Sequence, residues 1–348
     1  MCYNIHHSNN IHIMEFNLSK TQKIIGLVVI ISFLLCGVFT MVVDDEDESI
    51  DDSTETEEIS KKDSVPATRP SITITEPSSE DPYKELESLI GLAPVKEEVK
   101  SLSNFIKVQQ ARKNKGLQEA QVSYHLVFTG NPGTGKTSVA RIMARIYKDL
   151  GVLKKGHLVE TDRSGLIAEY VGQTATKTNA VIDSALNGVL FIDEAYALTN
   201  GGEQDFGGEA IATLLKRMED DRDSLVVIVA GYTDEMKQFI ESNPGLQSRF
   251  NRYIEFPDYS AQELHDIYVQ RAKKGGYQLT EEADQYLLEH LKKAVANKDR
   301  NFGNARYARN LYEKSITCQA NRLAQDSLET LSKDALSIIE KCDIENIK

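Results

Sequence analysis

The sequence of 348 residues contains no tryptophan, only eight prolines and only four cysteines. The cysteines, at positions 2, 36, 318 and 342, form no C-x-x-C pair and have no metal-site spacing with nearby histidines. A disulfide-stapled scaffold and a zinc module are therefore excluded, and we interpret the cysteines as isolated thiols. Because 41% of the residues are apolar and 27% are charged, most of the chain can fold, and its length suggests two or three domains.

Acidic residues outnumber basic ones in this chain. The chain has 40 basic and 53 acidic residues, a net charge of −13, and ten of the carboxylates lie in residues 44–58 without a single lysine or arginine. Without that segment the chain has 43 acidic and 40 basic residues, a net charge of −3. Nucleic-acid binding needs a basic face to neutralise phosphates, so we expect no nucleic-acid partner.

One long apolar run, residues 24–43, contains no charged residue. Twenty helical residues rise about 30 Å, the thickness of the hydrocarbon core of a bilayer. The run predicts a single transmembrane helix that anchors the protein in a membrane. A cleaved signal peptide is the alternative, because Lys20 and Lys23 precede the run. Within the N-terminal segment 1–23, the first thirteen residues indicate nothing further, and translation could equally start at Met14.

The composition changes twice beyond this run. Residues 44–82 are acidic and then rich in Ser, Thr and Pro, which predicts a disordered linker, with an acidic interaction tail as the alternative. From residue 83 onward, apolar runs alternate with helical patterns, and after Pro257 the pattern is helical only. This order predicts an α/β domain with a mostly parallel sheet over 83–257 and a helical domain over 258–348. The predicted strands are 124–129, 157–160, 189–192, 225–230 and 253–256.

A glycine-rich turn joins the first of these strands to a helix. Its sequence from Gly130 to Thr137, GNPGTGKT, is the phosphate-loop pattern between the strand and the helix that the pattern requires. Backbone N–H groups and the helix N-terminus would surround phosphate oxygens. Lys136 would reach the β- and γ-phosphates, and the Thr137 hydroxyl would bind Mg²⁺. The sequence therefore predicts a nucleoside triphosphatase that uses ATP and Mg²⁺.

A second motif supports this interpretation. The apolar strand 189–192 is followed directly by Asp193 and Glu194. Two carboxylates after a strand are alone a weak signal, but a phosphate-loop enzyme needs such a pair. Asp193 would hold the Mg²⁺ shell, and Glu194 would act as general base on the attacking water.

Together with these motifs, the stretches LIGLAPVKEEV, EYVGQTATKT, VVIVAGYTDEM, NPGLQSRF, IEFPDYS and GNARYARNLYE resemble the CbxX/CfqX family of AAA+ ATPases. The resemblance covers about residues 84–345. It implies an AAA+ phosphate-loop parallel sheet with flanking helices and a small C-terminal helical lid. It also implies an ATP-driven homo-oligomeric ring, usually a hexamer, that pulls a protein segment through its central pore.

The resemblance also carries over individual residues. Ile90 and Gly91 match the adenine contacts, and Arg306 matches the sensor-2 arginine of the lid. Thr233 matches the sensor-1 polar residue, with Tyr232 as the alternative. The residues that match the phosphate-binding loop are Asn131, Pro132, Gly133, Thr134, Gly135, Lys136, Thr137 and Ser138.

Two further matches concern the ring. Arg249 matches the arginine finger, which would reach the γ-phosphate bound by the neighbouring subunit and make hydrolysis depend on assembly. Tyr170, Val171 and Gly172 match the pore loop, in which an aromatic ring can grip an unfolded chain without demanding a sequence. A structural role in the core is the alternative for the pore-loop match.

The N-terminal part departs from the family, because a membrane segment and an acidic linker precede the ATPase domain. A Rubisco-directed role is therefore not carried over. We expect instead a ring held at a membrane, with its ATPase domain on the cytoplasmic side where ATP is found, acting on a secretion apparatus or an envelope protein. A nucleotide-switched scaffold without threading is the alternative, and an ATPase that acts on DNA is disfavoured by the acidic balance.

Overall fold

The computed structural model describes residues 4–8, 11–15, 72–118, 122–170, 172–201, 205–325 and 331–347. The chain divides into two compact units, Met1–Pro66 and Ala67–Lys348. In the first unit, β1 (Asn4–Ser8) and β2 (Ile11–Glu15) pair as an antiparallel hairpin. The predicted membrane segment 24–43 lies outside the described residues. Among the helices in the described ranges, none combines the length and the hydropathy that crossing a bilayer requires.

A six-stranded sheet forms the centre of the second unit, with strand order β3-β5-β6-β7-β4-β8. All neighbouring pairs are parallel except β3 with β5. This arrangement confirms the predicted α/β fold with a mostly parallel sheet. The strands are β3 (Ile72–Thr75), β4 (Leu126–Thr129), β5 (Leu158–Thr161), β6 (Val189–Ile192), β7 (Val226–Gly231) and β8 (Tyr253–Glu255).

Strand β3 corrects the predicted disordered linker. Residues 72–75 were assigned to the segment 44–82, but they pair with all four residues of β5 at the edge of the sheet. Their sequence, Ile-Thr-Ile-Thr, is β-branched at every position and suits an extended edge strand. Ile72 packs on the core, whereas the Ile74 side chain is exposed. The ordered unit therefore begins before the expected boundary at residue 83.

Both faces of the sheet are covered by helices. Because side chains alternate along a strand, Leu126 and Phe128 belong to the core on one face and Val127 to the core on the other. The first core packs against α2 and α3, and the second against α5, α6 and α7. The helices are α1 (Pro82–Ser88), α2 (Ala93–Asn114), α3 (Lys136–Asp149), α4 (Arg163–Leu166), α5 (Thr174–Ala185), α6 (Gly207–Asp220), α7 (Thr233–Glu241) and α8 (Pro244–Arg249).

Two separate helices, α1 and α2, lie near the start of the domain. Helix α1 ends at Ser88 and α2 begins at Ala93. Between them Gly91 and Leu92 have φ values of +64° and +58°, which no α-helix accommodates. This break forms a short loop beside the phosphate-binding turn.

A helical lid follows the sheet, as predicted. Its helices are α9 (Ala261–Lys274), α10 (Glu281–Ala296), α11 (Ala305–Leu323), α12 (Lys333–Ser337) and α13 (Lys341–Glu345). A capping box of Ser260 and Glu263 starts α9. The expectation that no strand follows Pro257 was wrong in one detail, because β9 (Gln278–Leu279) and β10 (Ile338–Ile339) form a short parallel pair.

Candidate nucleotide site

A cavity of about 270 Å³ lies where the carboxyl ends of β4, β6 and β7 meet the lid. Ligands of open α/β sheets bind at this edge of the strands. Four of the lining residues belong to the lid and the others follow the strands. The lining residues are Gly130, Pro132, Gly133, Thr134, Gly135, Lys136, Thr137, Ser138, Asp193, Glu194, Gly231, Tyr232, Arg271, Ala305, Arg306 and Arg309.

The phosphate-loop motif forms one wall of this cavity. Gly133 has φ +72°, and a Cβ atom on it would lie 2.1 Å from the carbonyl oxygen of Gly303 in the lid. Only glycine permits the lid backbone to come this close to the loop. The Ala305 N–H donates a hydrogen bond to the Gly133 carbonyl at 3.1 Å. Helix α3 begins at Lys136, so the unpaired N–H groups of its first turn face the cavity wall. The loop and this helix end make a cradle that suits phosphate groups.

Lys136 lies at the centre of the cradle. Its Nζ donates hydrogen bonds to the carbonyl oxygens of Gly130 (2.7 Å) and Asn131 (2.9 Å). The pKa of Lys136 is lowered to about 8, mainly by burial; the carboxylates of Asp193 and Glu194 oppose this shift, and the nearby Arg306 contributes to it. The ammonium is therefore close enough to all three charged neighbours to respond to them, and a phosphate would stabilise its charged form.

The predicted carboxylate pair lies opposite the loop. Asp193 directly follows β6 and is half-buried, whereas Glu194 is exposed to the cavity. Glu194 has φ +49° and ψ +42°, a left-handed conformation that is uncommon for this residue type and is concentrated at functional sites. Its N–H donates to Asp193 Oδ1 at 3.1 Å. The Thr137 hydroxyl and Asp193 offer the hard oxygen ligands that Mg²⁺ prefers when phosphates complete its shell.

Three arginines enter the cavity from the lid. Arg306, in the first turn of α11, was predicted, but Arg271 on α9 and Arg309 on α11 were not. Arg309 is paired with Glu313 at 3.1 Å, while no carboxylate within the described ranges forms an ion pair with Arg271. With Lys136, the cavity has four cationic side chains against two carboxylates, an excess that suits a polyanion. No motif marks Arg271; only the packing of α9 over the loop reveals it.

Two predicted adenine contacts lie beside the cavity but do not line it. A Cβ atom on Gly91 would meet the Glu263 carboxylate and the Tyr259 ring. The next residue, Leu92, approaches Gly135, with its Cδ1 at 3.4 Å from a Cβ position there. The loop that contains Ile90 therefore borders the phosphate cradle on its lid side.

At the end of β7, Gly231 and Tyr232 line the cavity, whereas Thr233 starts α7 and does not. Of the two sensor-1 candidates, the alternative, Tyr232, therefore lines the cavity and Thr233 does not. The sensor-1 role of either residue stays a prediction.

The two ring residues lie away from the cavity of their own chain. Arg249, the last residue of α8, donates to Glu219 Oε2 at 3.3 Å, and its own backbone carbonyl accepts from Ser123 at 2.7 Å. Tyr170 is 68% exposed, and a Cβ atom on Gly172 would have open space around it. Val171, the third predicted pore-loop residue, lies outside the described part of the chain.

Comparison with known proteins agrees with this geometry. Residues 126–258 match the family described as "ATPase family associated with various cellular activities (AAA)", and residues 260–348 match the AAA lid domain. The AAA domain of FIGL-1 superposes with a TM-score of 0.52 at 19% identity, covering 75% of this chain and 81% of that one, a likeness of fold alone. The phosphate loop, the carboxylate pair and the lid define an ATP-hydrolysing enzyme of the AAA class.

Sequence relatives narrow the class to a family. The chain is 44% identical over 265 residues to stage V sporulation protein K of Bacillus subtilis (strain 168), covering 74% of this chain and 82% of that protein. It is 45% identical over 257 residues to protein CbbX of Cereibacter sphaeroides, with coverage of 74% and 82%. The ESX-3 secretion system protein EccA3 of Mycolicibacterium smegmatis is 45% identical over 274 residues, 75% of this chain but 45% of that protein. The chain belongs to the CbxX/CfqX family of AAA+ ATPases, as its motifs predicted.

Proposed function

We propose that this protein couples hydrolysis of Mg²⁺–ATP in the cavity to mechanical remodelling of a protein partner. The observation that carries the proposal is the convergence in one cavity of Lys136, the pair Asp193 and Glu194, and the lid residue Arg306. Since Arg306 belongs to the lid and the other three to the α/β domain, a ligand that contacts all four would couple the two parts. Nucleotide turnover would then move the lid relative to the sheet.

Each charged residue has a distinct role in this proposal. Bound Mg²⁺ would neutralise charge on the phosphates, with Thr137 and Asp193 as its protein ligands. Glu194 would accept the proton of the attacking water. Lys136 and Arg306 would stabilise the negative charge that develops on the transferred phosphoryl group.

The assignment of the base can be tested directly. Glu194→Gln keeps the shape of the side chain but removes the proton acceptor, so ATP binding should persist while turnover falls by at least about a hundredfold. Lys136→Ala should abolish binding itself. Glu282→Gln, the same change on exposed α10, is the matched control. Hydrolysis by Glu194→Gln at the parental rate would show that the base is assigned wrongly.

Ring assembly would complete the site. Arg249 does not line the cavity of its own chain. Its partner Glu219 is 61% exposed, and because an exposed ion pair contributes little free energy, breaking this one costs little. We propose that Arg249 serves the cavity of an adjacent copy in a hexamer. Mixing Arg249→Ala with Lys136→Ala subunits tests this. An Arg249→Ala subunit keeps Lys136 in its own cavity, and an adjacent Lys136→Ala subunit can still supply Arg249 to that cavity. Recovery of ATPase activity in the mixture is the expected result, and no recovery would contradict a role in trans.

Threading of the partner would depend on Tyr170. A large aromatic side chain that is 68% exposed buries little surface in its own chain and is available to another one. Tyr170→Ala should abolish remodelling while ATPase activity largely persists, whereas a nucleotide-switched scaffold would be indifferent to the change. Tyr253→Ala, which removes a second exposed tyrosine on β8, is the matched control.

The site of action is proposed from the sequence and from one relative. The uncharged run 24–43 would hold the ring at a membrane with the ATPase domain on the cytoplasmic side. EccA3, a relative named as a secretion system protein, makes a secretion complex a reasonable partner class. Fractionation of cells that express the full chain tests the anchor. Recovery of the protein in the soluble fraction would exclude it.

A further inference from the structure

Asn304 is a fully buried polar residue that the site described above does not use. It is the last residue of the loop between α10 and α11, two residues before Arg306. Its backbone has φ +47° and ψ −122°, a conformation that glycine adopts easily and other residues rarely. A strained asparagine at such a position indicates that its side chain is needed.

Both the nitrogen and the oxygen of the Asn304 side-chain amide form hydrogen bonds. Its Nδ2 lies within hydrogen-bond distance of Asp258 Oδ1 (2.8 Å), the Phe302 carbonyl (3.1 Å) and the Pro132 carbonyl (3.3 Å). Its Oδ1 accepts from the Tyr259 N–H at 3.0 Å. These partners belong to the lid, the phosphate loop and the linker between β8 and α9, so one residue joins three parts of the fold.

Asp258 extends the same network. Its Oδ1 also accepts from Asn131 Nδ2 at 2.9 Å, and its Oδ2 pairs with Lys298 at 2.6 Å. Burial alone would raise the pKa of Asp258, but the hydrogen bonds from Lys298, Asn131 and Asn304 outweigh it and lower the pKa. The carboxylate therefore stays ionised and acts as a fixed acceptor for donors from the loop and the lid.

We propose that Asn304 and Asp258 form a junction that fixes the first turn of α11 on the phosphate loop and thereby sets the position of Arg306. The junction is adjacent to the hydrogen bond from the Ala305 N–H to the Gly133 carbonyl, where lid and loop are in direct contact. Asn304 is a positioning residue: it contacts the Pro132 carbonyl of the loop and acts on the phosphates through Arg306. The proposal rests on ATP hydrolysis at this cavity.

A double-mutant cycle on the ATPase rate of the full chain tests the junction. Asn304→Gly removes the amide but tolerates the backbone conformation, so kcat should fall at least about tenfold. Arg306→Ala should cause a similar or larger loss, and the double variant should be no worse than Arg306→Ala within about twofold. Asn301→Gly, the same change at an exposed position of the same loop, should leave the rate unchanged.

Two results would overturn the proposal: parental kcat in Asn304→Gly, or a double variant whose loss is the product of the two single losses. If Asn304→Gly does not fold, Asp258→Ala takes its place in the cycle with Arg306→Ala. The double variant is again expected to be no worse than Arg306→Ala within about twofold. Lys136→Ala reports on the proposed function separately. ATP hydrolysis that survives Lys136→Ala would refute the site itself, whereas multiplicative losses would refute only the junction.

Discussion

Nucleotide binding by this protein should weaken as the pH rises from 7 to 9, because of Lys136. Its pKa is lowered to about 8 by burial in the cavity, with a further contribution from Arg306. At pH 7 about nine-tenths of the free protein therefore carries a charged Lys136, and at pH 9 about one-tenth does. Bound phosphates favour the ammonium, so the pKa of Lys136 rises in the complex and binding takes up a proton.

The expected magnitude follows from these populations. If only the protonated form binds phosphate well, the apparent Kd should rise about tenfold from pH 7 to pH 9, and about half a proton should be taken up at pH 8. Titration calorimetry in buffers of different ionisation enthalpy measures both quantities. Lys136→Arg is the control, because a guanidinium stays charged over this range and any binding that remains should lose its pH dependence. A constant Kd between pH 7 and 9 with no proton uptake would refute this account of the cradle.

Three further predictions follow from the close contacts and charges of the fold. Gly133→Ala should reduce the free energy of unfolding by about 1–3 kcal/mol more than Gly116→Ala does. Both glycines have φ +72°, but only a Cβ atom added at Gly133 meets another atom. Equal losses in urea unfolding would contradict the close approach of Gly133 to the lid. Arg271→Ala should weaken ATP binding several-fold, while Lys274→Ala, on the same helix outside the cavity, should not; equal Kd values in the two variants would remove Arg271 from the site. Burial lowers the pKa of His125 to about 4, so the folded state requires its neutral form. The free energy of unfolding should therefore fall by about 2 kcal/mol between pH 7 and pH 5. If a His125→Gln variant loses the same free energy over this pH range, His125 is not the cause.

The parts of the candidate site that the sequence predicted are those that a continuous stretch of chain builds. The phosphate loop from Gly130 to Thr137 has its own strand, turn and helix, and the pair Asp193 and Glu194 follows β6, two strands away from β4 in the same sheet. Since the carboxyl ends of parallel strands meet at one edge, the local motifs were sufficient to place both groups together. Arg306 was predicted from a motif in the lid, and it lies in the cavity.

The parts that were missed depend on contacts between distant segments. Arg271 has no motif, and it lines the cavity because the lid brings α9 over the phosphate loop. Strand β3 was assigned to a disordered linker because the segment 44–82 that contains it is acidic and rich in Ser, Thr and Pro. Its four residues are ordered by pairing with β5, some 85 residues further along the chain.

By itself, the sequence determined the class of fold, the family and the groups that would bind phosphate, because each of these is encoded in short contiguous patterns of glycine, apolar and charged residues. Only the tertiary structure decided how the lid meets the loop. The absence of a side chain at Gly133, the buried amide of Asn304 and the ionised Asp258 connect the phosphate loop to segments that lie 127 to 172 positions further along the chain. No periodicity or spacing in the sequence predicts such a junction. Its residues become neighbours only when the two cores of the sheet and the lid have packed.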